Sequence, residues 1–148
     1  MRWINLLAIF DSICILLAKA EQKHFLYTKK LLDEAGLEIS PGQLVVLYSL
    51  LNKDNISISE LSKNVYLDNS TLTGLIDRLE RVDLVRRVDA PHDRRSYQIT
   101  LTDKSRNLEP EIKKVMKQVE NKMLENCNEA EVVMLRSILT RIFANFNI

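Results

Sequence analysis

The chain has 148 residues, long enough for one domain with its own core, and its three glycines and three prolines suit a mainly helical protein. Twenty-one basic side chains against 20 acidic ones leave a net charge of +1, which excludes a protein that attracts polyanions through bulk charge; any such field must be local. Two widely separated cysteines exclude a disulfide framework and fit a reducing cytoplasm.

Residues 1–35 carry apolar side chains at helical spacing: Trp3, Leu6, Leu7, Phe10, Ile13, Cys14 and Leu17, continuing through Phe25, Leu31 and Leu32 to Gly36, a helix stop. Met1-Arg2 and the run to Ala18-Lys19-Ala20 superficially resemble an export signal. Asn5, Asp11 and Ser12 interrupt the apolar core, and Ile13 rather than a small residue precedes Cys14, so an amphipathic helix of a cytoplasmic protein is expected. A second helix should start at Ser40-Pro41, proline being favoured at a first helical position, and run through Leu44, Leu47, Tyr48 and Leu51. Ser57 with Glu60 predicts a capping box, hence a third helix from about Ile58 that carries Leu61 and Val65 and stops at Tyr66-Leu67. Asp68 can cap the next helix, in which Leu72, Leu75, Ile76, Leu79 and Val82 form an apolar stripe. Its other face holds Asn69, Ser70, Thr73, Gly74, Asp77, Arg78 and Arg81. Small hydroxyl and amide groups near a helix N-terminus suit close approach to phosphates and base edges.

Leu84–Val88 and Tyr97–Leu101 read as the strands of a hairpin. The connection from Asp89 to Ser96 is expected to be too long for a tight turn and to project as a charged, flexible wing. Six of the ten arginines fall between Arg78 and Arg95, a concentration that folding does not require, and arginine forks onto phosphate or enters a narrow minor groove. Acidic neighbours Asp77, Glu80, Asp83, Asp89 and Asp93 nearly balance that charge. Beyond the wing, 102–126 is helical in pattern but contains Pro110, which should kink or break it; Leu108, Ile112, Val115, Met116, Val119 and Met123 make its stripe. Asn128 with Glu131 caps a last helix bearing Val132, Leu135, Ile138, Leu139, Ile142, Phe143 and Phe146. Three amphipathic helices from the two chain ends are more naturally buried between two chains than within one.

Helix, turn, helix and winged hairpin in this order resemble the DNA-binding domain of the MarR (multiple-antibiotic-resistance regulator) transcription factors. The likeness is carried by Leu67-Asp68 with Ser70-Thr71-Leu72-Thr73, by Asp77-Arg78-Leu79-Glu80, Leu84-Val85-Arg86-Arg87, Asp93-Arg94-Arg95 and Leu101-Thr102. It implies a mainly α fold with a small β-hairpin wing, a winged helix-turn-helix over about 40–102, and dimerisation helices over about 1–35 and 103–148. It further implies that Ser70, Thr71 and Thr73, with Asn69 beside them, face the major groove. Arg78 would meet a phosphate, Arg94 and Arg95 would serve the wing with Arg95 in the minor groove, and Asp93 would steady it. Three positions depart from the family pattern: Asp83 where a glycine usually ends the recognition helix, Gly74 in place of a frequent basic residue, and Ser105 in place of another glycine.

The resemblance makes the protein a cytoplasmic homodimeric regulator, expected to be a repressor, on a pseudo-palindromic duplex whose half-sites lie roughly 34 Å apart. Members commonly release DNA when a small aromatic molecule binds between dimerisation helices and winged domain. One branch instead senses organic hydroperoxides through a cysteine near the start of the first helix, where Cys14 stands; the tyrosines that hold that sulfur fall here at Ala18 and Thr28, with Tyr27 adjacent. Enzyme chemistry, a cofactor and a metal are not expected. His24 and His92 are read as surface groups, and no glycine-rich phosphate loop is present. The competing reading is a dimeric winged-helix interaction module without DNA binding, which would have no reason to gather Ser70, Thr73, Arg78 and Arg95 on one side.

Overall fold

A computed structural model describes residues 12–146, apart from the side chains of 93–95. Trp3, Leu6, Leu7 and Phe10 of the first predicted stripe lie outside the described residues. Helix α1 (Ile13–Glu34) ends as the sequence predicts: Gly36 takes φ +67°, and Leu37 N–H returns to the Leu32 carbonyl at 2.9 Å, the bond that closes a helix over a left-handed residue. Its C-terminal part buries Thr28, Leu31 and Leu32, whereas Ile13, Leu16, Leu17, Phe25 and Leu26 remain exposed. Helix α2 (Pro41–Asn52) starts from a complete capping box between Ser40 and Gln43 and buries Leu44, Val46, Leu47 and Leu50 at the centre of the domain.

A two-residue strand β1 (Ile56–Ser57), which periodicity did not reveal, leads into α3 (Ile58–Val65). The expected capping box at Ser57 is half formed. Ser57 accepts the Glu60 amide, but the Glu60 carboxylate turns outward to Lys53 Nζ at 2.5 Å, because an ammonium seven residues back competes for it. Helix α4 (Asn69–Arg81) buries Leu72, Leu75, Ile76 and Leu79. Val82 leaves that stripe: it caps the helix and is 39% exposed.

The hairpin departs most from expectation. Strands β2 (Val85–Ala90) and β3 (Asp93–Leu101) stay paired from Val85↔Leu101 to Ala90↔Asp93, with an irregularity between Asp89 and Ala90. The wing is therefore a continued ladder closed over Pro91-His92, not a long open loop, since the irregularity absorbs the mismatch in length. β1 adds to β3 through Ile56↔Ile99, giving a three-stranded antiparallel sheet in the order β1-β3-β2.

The predicted break in the following helix falls at Leu108, between α5 (Asp103–Asn107) and α6 (Glu109–Met123). Pro110 sits in the first turn of α6, where its missing N–H leaves no bond unmade. Ile112, Val115 and Val119 pack into the core, while Met123, at the end of that predicted stripe, is exposed. Helix α7 (Glu129–Asn145) has the predicted Asn128–Glu131 capping box yet buries no residue. Among the described residues the core ends at Val119 and joins α1, α2, α3, α4, the sheet and α6. Among the described residues no helix is long and apolar enough to cross a membrane.

Candidate nucleic-acid interface

The helix-turn-helix is set by one residue. Tyr66 ends α3 in the left-handed conformation, and Leu67 N–H donates to the Ser62 carbonyl across the turn at 3.2 Å. Asp68 then caps α4, accepting the Thr71 amide at 2.8 Å and the Thr71 hydroxyl at 2.6 Å. The hydroxyl and amide of Thr71 hold the Asp68 carboxyl below its ordinary pKa. Thr71 is thus committed as a donor within the cap, and Thr73 donates to the Asn69 carbonyl at 2.6 Å. Both hydroxyl oxygens keep lone pairs for an outside donor. Asn69, Ser70, Asp77, Arg78 and Arg81 are exposed on the arc opposite the buried leucines, so α4 presents one polar face along its length.

The wing is fastened to that helix by Arg87 of β2. Its guanidinium reaches Asp77 at 2.5 Å, pairs with Glu80, and lies 5.6 Å from the Tyr97 ring centroid. Burial opposes the charge on Arg87, but the hydrogen bonds and charges of Asp77 and Glu80 outweigh it and raise its pKa. The cluster also withdraws two carboxylates from the field around α4, which answers part of the acidic balance that the sequence shows. At the base of the hairpin Asp54 accepts the Leu101 amide at 2.9 Å and pairs with Arg106. Asp83 takes φ +59° where the family pattern has glycine, and Thr102 donates to its carbonyl at 2.7 Å. Ser105 is fully buried, its hydroxyl returning to the Thr102 carbonyl at 2.8 Å. Asp93, Arg94 and Arg95 open β3 immediately after the turn at the wing tip, and His92 within that turn is exposed.

Sequence reasoning missed Arg87 and Asp54 as organisers. The first entered only as part of a basic strand and of the family motif, and the second not at all, although it precedes Asn55, which takes a positive φ. Cys14 is exposed at the start of α1 and Cys127 is exposed in the turn before α7. Thr28 is buried and donates to the His24 carbonyl at 2.8 Å. A groove of about 540 Å³ between α1 and α6, next to α2, is lined by His24, Tyr48, Lys113, Met116, Lys117 and Met123, among others. Among the described residues no group of His, Cys, Asp and Glu side chains is arranged for a metal.

The sequence profile of the MarR family matches residues 39–97. The regulator SarZ of Staphylococcus haemolyticus is 32% identical over 113 residues, which span 74% of this chain and 73% of that one. The chain belongs to the MarR family. MgrA of Staphylococcus aureus, a helix-turn-helix-type transcriptional regulator, is 27% identical over 138 residues, 93% of this chain and 91% of its own. In structure the chain is similar to BpsR of Bordetella bronchiseptica, whose DNA binding is regulated by 6-hydroxynicotinic acid (TM-score 0.81, 26% identity, 90% of this chain and 94% of that one). It is also similar to CouR of Rhodococcus jostii RHA1 bound to p-coumaroyl-CoA (TM-score 0.80, 25% identity, 95% and 96%). As a member of the MarR family, the protein is a DNA-binding transcriptional regulator with a winged helix-turn-helix, and not an enzyme.

Proposed function

We propose that the protein is a cytoplasmic homodimeric repressor that lays α4 of each chain in successive major grooves of a pseudo-palindromic operator. The observation that carries this reading is the uninterrupted polar face of α4 beside a hairpin held to it by Arg87. In this reading Asn69, Ser70, Thr71 and Thr73 meet base edges or the adjoining backbone, Arg78 meets a phosphate, and Arg94 and Arg95 follow the wing into the minor groove with Asp93 steadying them. Release follows when a small aromatic molecule enters the groove lined by His24, Tyr48 and Met116. The groove's position between α1, α6 and α2 supports this, as do the aromatic molecules named for BpsR and CouR.

Duplex selection followed by titration at fixed salt tests the reading. Arg78→Ala and Arg95→Ala should each weaken the selected duplex by about 1–3 kcal/mol, with a shallower salt dependence where a phosphate contact is lost. Ser70→Ala and Thr73→Ala should instead change which sequence is preferred. Unchanged affinity in both arginine variants would favour the interaction-module reading.

Oxidation of Cys14 is a second route to release, favoured by the place of its thiol at the start of α1, outside the core of its own chain. A sulfenic acid there would put a polar group on the α1 face that a partner helix covers. An organic hydroperoxide should then abolish operator binding by the native chain and by Cys127→Ser but not by Cys14→Ser. Equal peroxide sensitivity of the native chain and Cys14→Ser would eliminate this route.

A further inference from the structure

The corner between α3 and α4 carries an unexpected side chain. Tyr66 has φ 55° and ψ 38°, a conformation that glycine or asparagine adopts far more readily than an aromatic residue. Its ring does not repay this by burial in the core, since the residue is 72% exposed. It meets Phe143 of α7 instead, with centroids 4.9 Å apart and ring planes at 71°, an edge-to-face geometry that aromatic pairs favour. The corner beneath the ring is rigid: Leu67 N–H donates to the Ser62 carbonyl, and the Ser62 hydroxyl donates to the Leu67 carbonyl at 2.5 Å. Asp68 follows directly and caps α4 through Thr71. A displacement of α7 that carries the Tyr66 ring therefore acts, through a short clamped segment, on the turn of α4 that bears Asn69, Ser70 and Thr73. α7 itself buries nothing in the core, and this ring pair ties that helix directly to the winged domain.

We propose that the Tyr66–Phe143 pair is a strut fixing the direction of α4 relative to α7, and that Tyr66 is a positioning residue for operator recognition. The proposal rests on the homodimer reading above, because α7 can set the separation of two recognition helices only if it belongs to the shared dimerisation region. The strut governs discrimination between half-site spacings, whereas attraction to phosphates is indifferent to spacing and stays as it is.

The test uses full-length native protein, Tyr66→Asn, Tyr66→Phe, Phe143→Ala and the Tyr66→Asn/Phe143→Ala double variant. Each is titrated at fixed salt against the selected duplex, against the same duplex with one base pair added or removed between half-sites, and against unrelated duplex. Asparagine suits the left-handed backbone, so Tyr66→Asn removes the ring while keeping the fold. Tyr66→Asn and Phe143→Ala should each weaken the selected duplex roughly three- to tenfold, blunt the spacing preference and leave unrelated-duplex binding unchanged. The double variant should be no weaker than either single one, and Tyr66→Phe should behave as native. Additive losses, or a native spacing preference retained by Tyr66→Asn, would overturn the strut. So would a monomeric Phe143→Ala in sedimentation, which would assign that ring to assembly. A native chain that is monomeric or binds no selected duplex would overturn the dimeric-regulator reading as well, while a native dimer indifferent to spacing would overturn the strut alone.

Discussion

Asp68 shows how much of the recognition element hangs on one exposed carboxylate. It satisfies the Thr71 amide and hydroxyl together, and both bonds favour its ionised form. Because its folded pKa is depressed, its contribution is complete above the unfolded carboxylate's value, ~3.9, and is lost as pH falls through the folded value. Asp68→Ala should therefore be less stable than native at neutral pH, with the difference closing in acid below that range; urea titrations at a series of pH values check this. A gap that does not narrow would assign the cap's strength to geometry alone. Gly74, on the same helix, has no neighbour within 4 Å of where a Cβ would stand. Gly74→Ala should stabilise the protein by about 0.5–1 kcal/mol in urea, since alanine loses less backbone freedom in a helix. Destabilisation would mean that the site lacks the space the structure gives it. Both positions were legible in the sequence, Asp68 as a cap and Gly74 as a small residue on the polar face. That Thr71 and Thr73 bond within their own helix was not, because a hydroxyl's choice of partner depends on rotamer and neighbours.

Helix starts were legible at element scale wherever the signal was local: Ser40-Pro41, Asp68 and Asn128 all cap as read. The Ser57 box was half right because Lys53, distant in helical register, competes for Glu60. The wing was misjudged because pairing can continue past Val88, to Ala90, only when the partner strand is in place, which no single-strand pattern records. Its attachment to α4 rests on Arg87, whose side chain is 22% exposed against 51% and 38% for Asp77 and Glu80. Arg87→Ala should lower stability by about 1–2 kcal/mol, at the smaller end for a charged hydrogen-bonded group because the carboxylates can rehydrate. Arg87→Lys should recover part of it, an ammonium being unable to fork onto both. Urea unfolding of both variants and of Arg87→Ala/Glu80→Gln checks this; additive losses in the double variant would exclude the coupling.

For the whole molecule, the decisive asymmetry is between a closed core and an open last helix. Among the described residues the core contains none beyond Val119, while Val133, Met134, Leu135, Ile138, Leu139 and Phe143 stay exposed on α7, Phe146 at its C-cap, and Ile13, Leu16 and Leu17 on α1. Apolar side chains in this density are stable in water when a second surface covers them. A chain ending at Asn128 should therefore keep its winged core, with near-native circular dichroism, but sediment as monomer or aggregate. Its thermal midpoint should not depend on concentration, whereas that of the full-length protein should rise with concentration. A full-length chain that remains monomeric at micromolar concentration would remove the dimer from the proposal.

The sequence by itself determined the order and type of the helices, the polar face of α4, the helix stop at Gly36, and the motifs that resemble the MarR family. These rest on periodicity, capping and turn chemistry, which act within a few residues of one another. Only the tertiary structure decided that β1 joins the sheet, that the wing stays paired to its tip, that Arg87 binds wing to recognition helix, and that Tyr66 reaches α7. Each of these joins residues brought together by folding: Ile56 to Ile99, Asp89 to Tyr97 beside the irregularity at Ala90, Arg87 to Asp77, Tyr66 to Phe143. Their energies depend on the approach of whole elements rather than on local preference, so the residue types were visible in the sequence and their pairing was not.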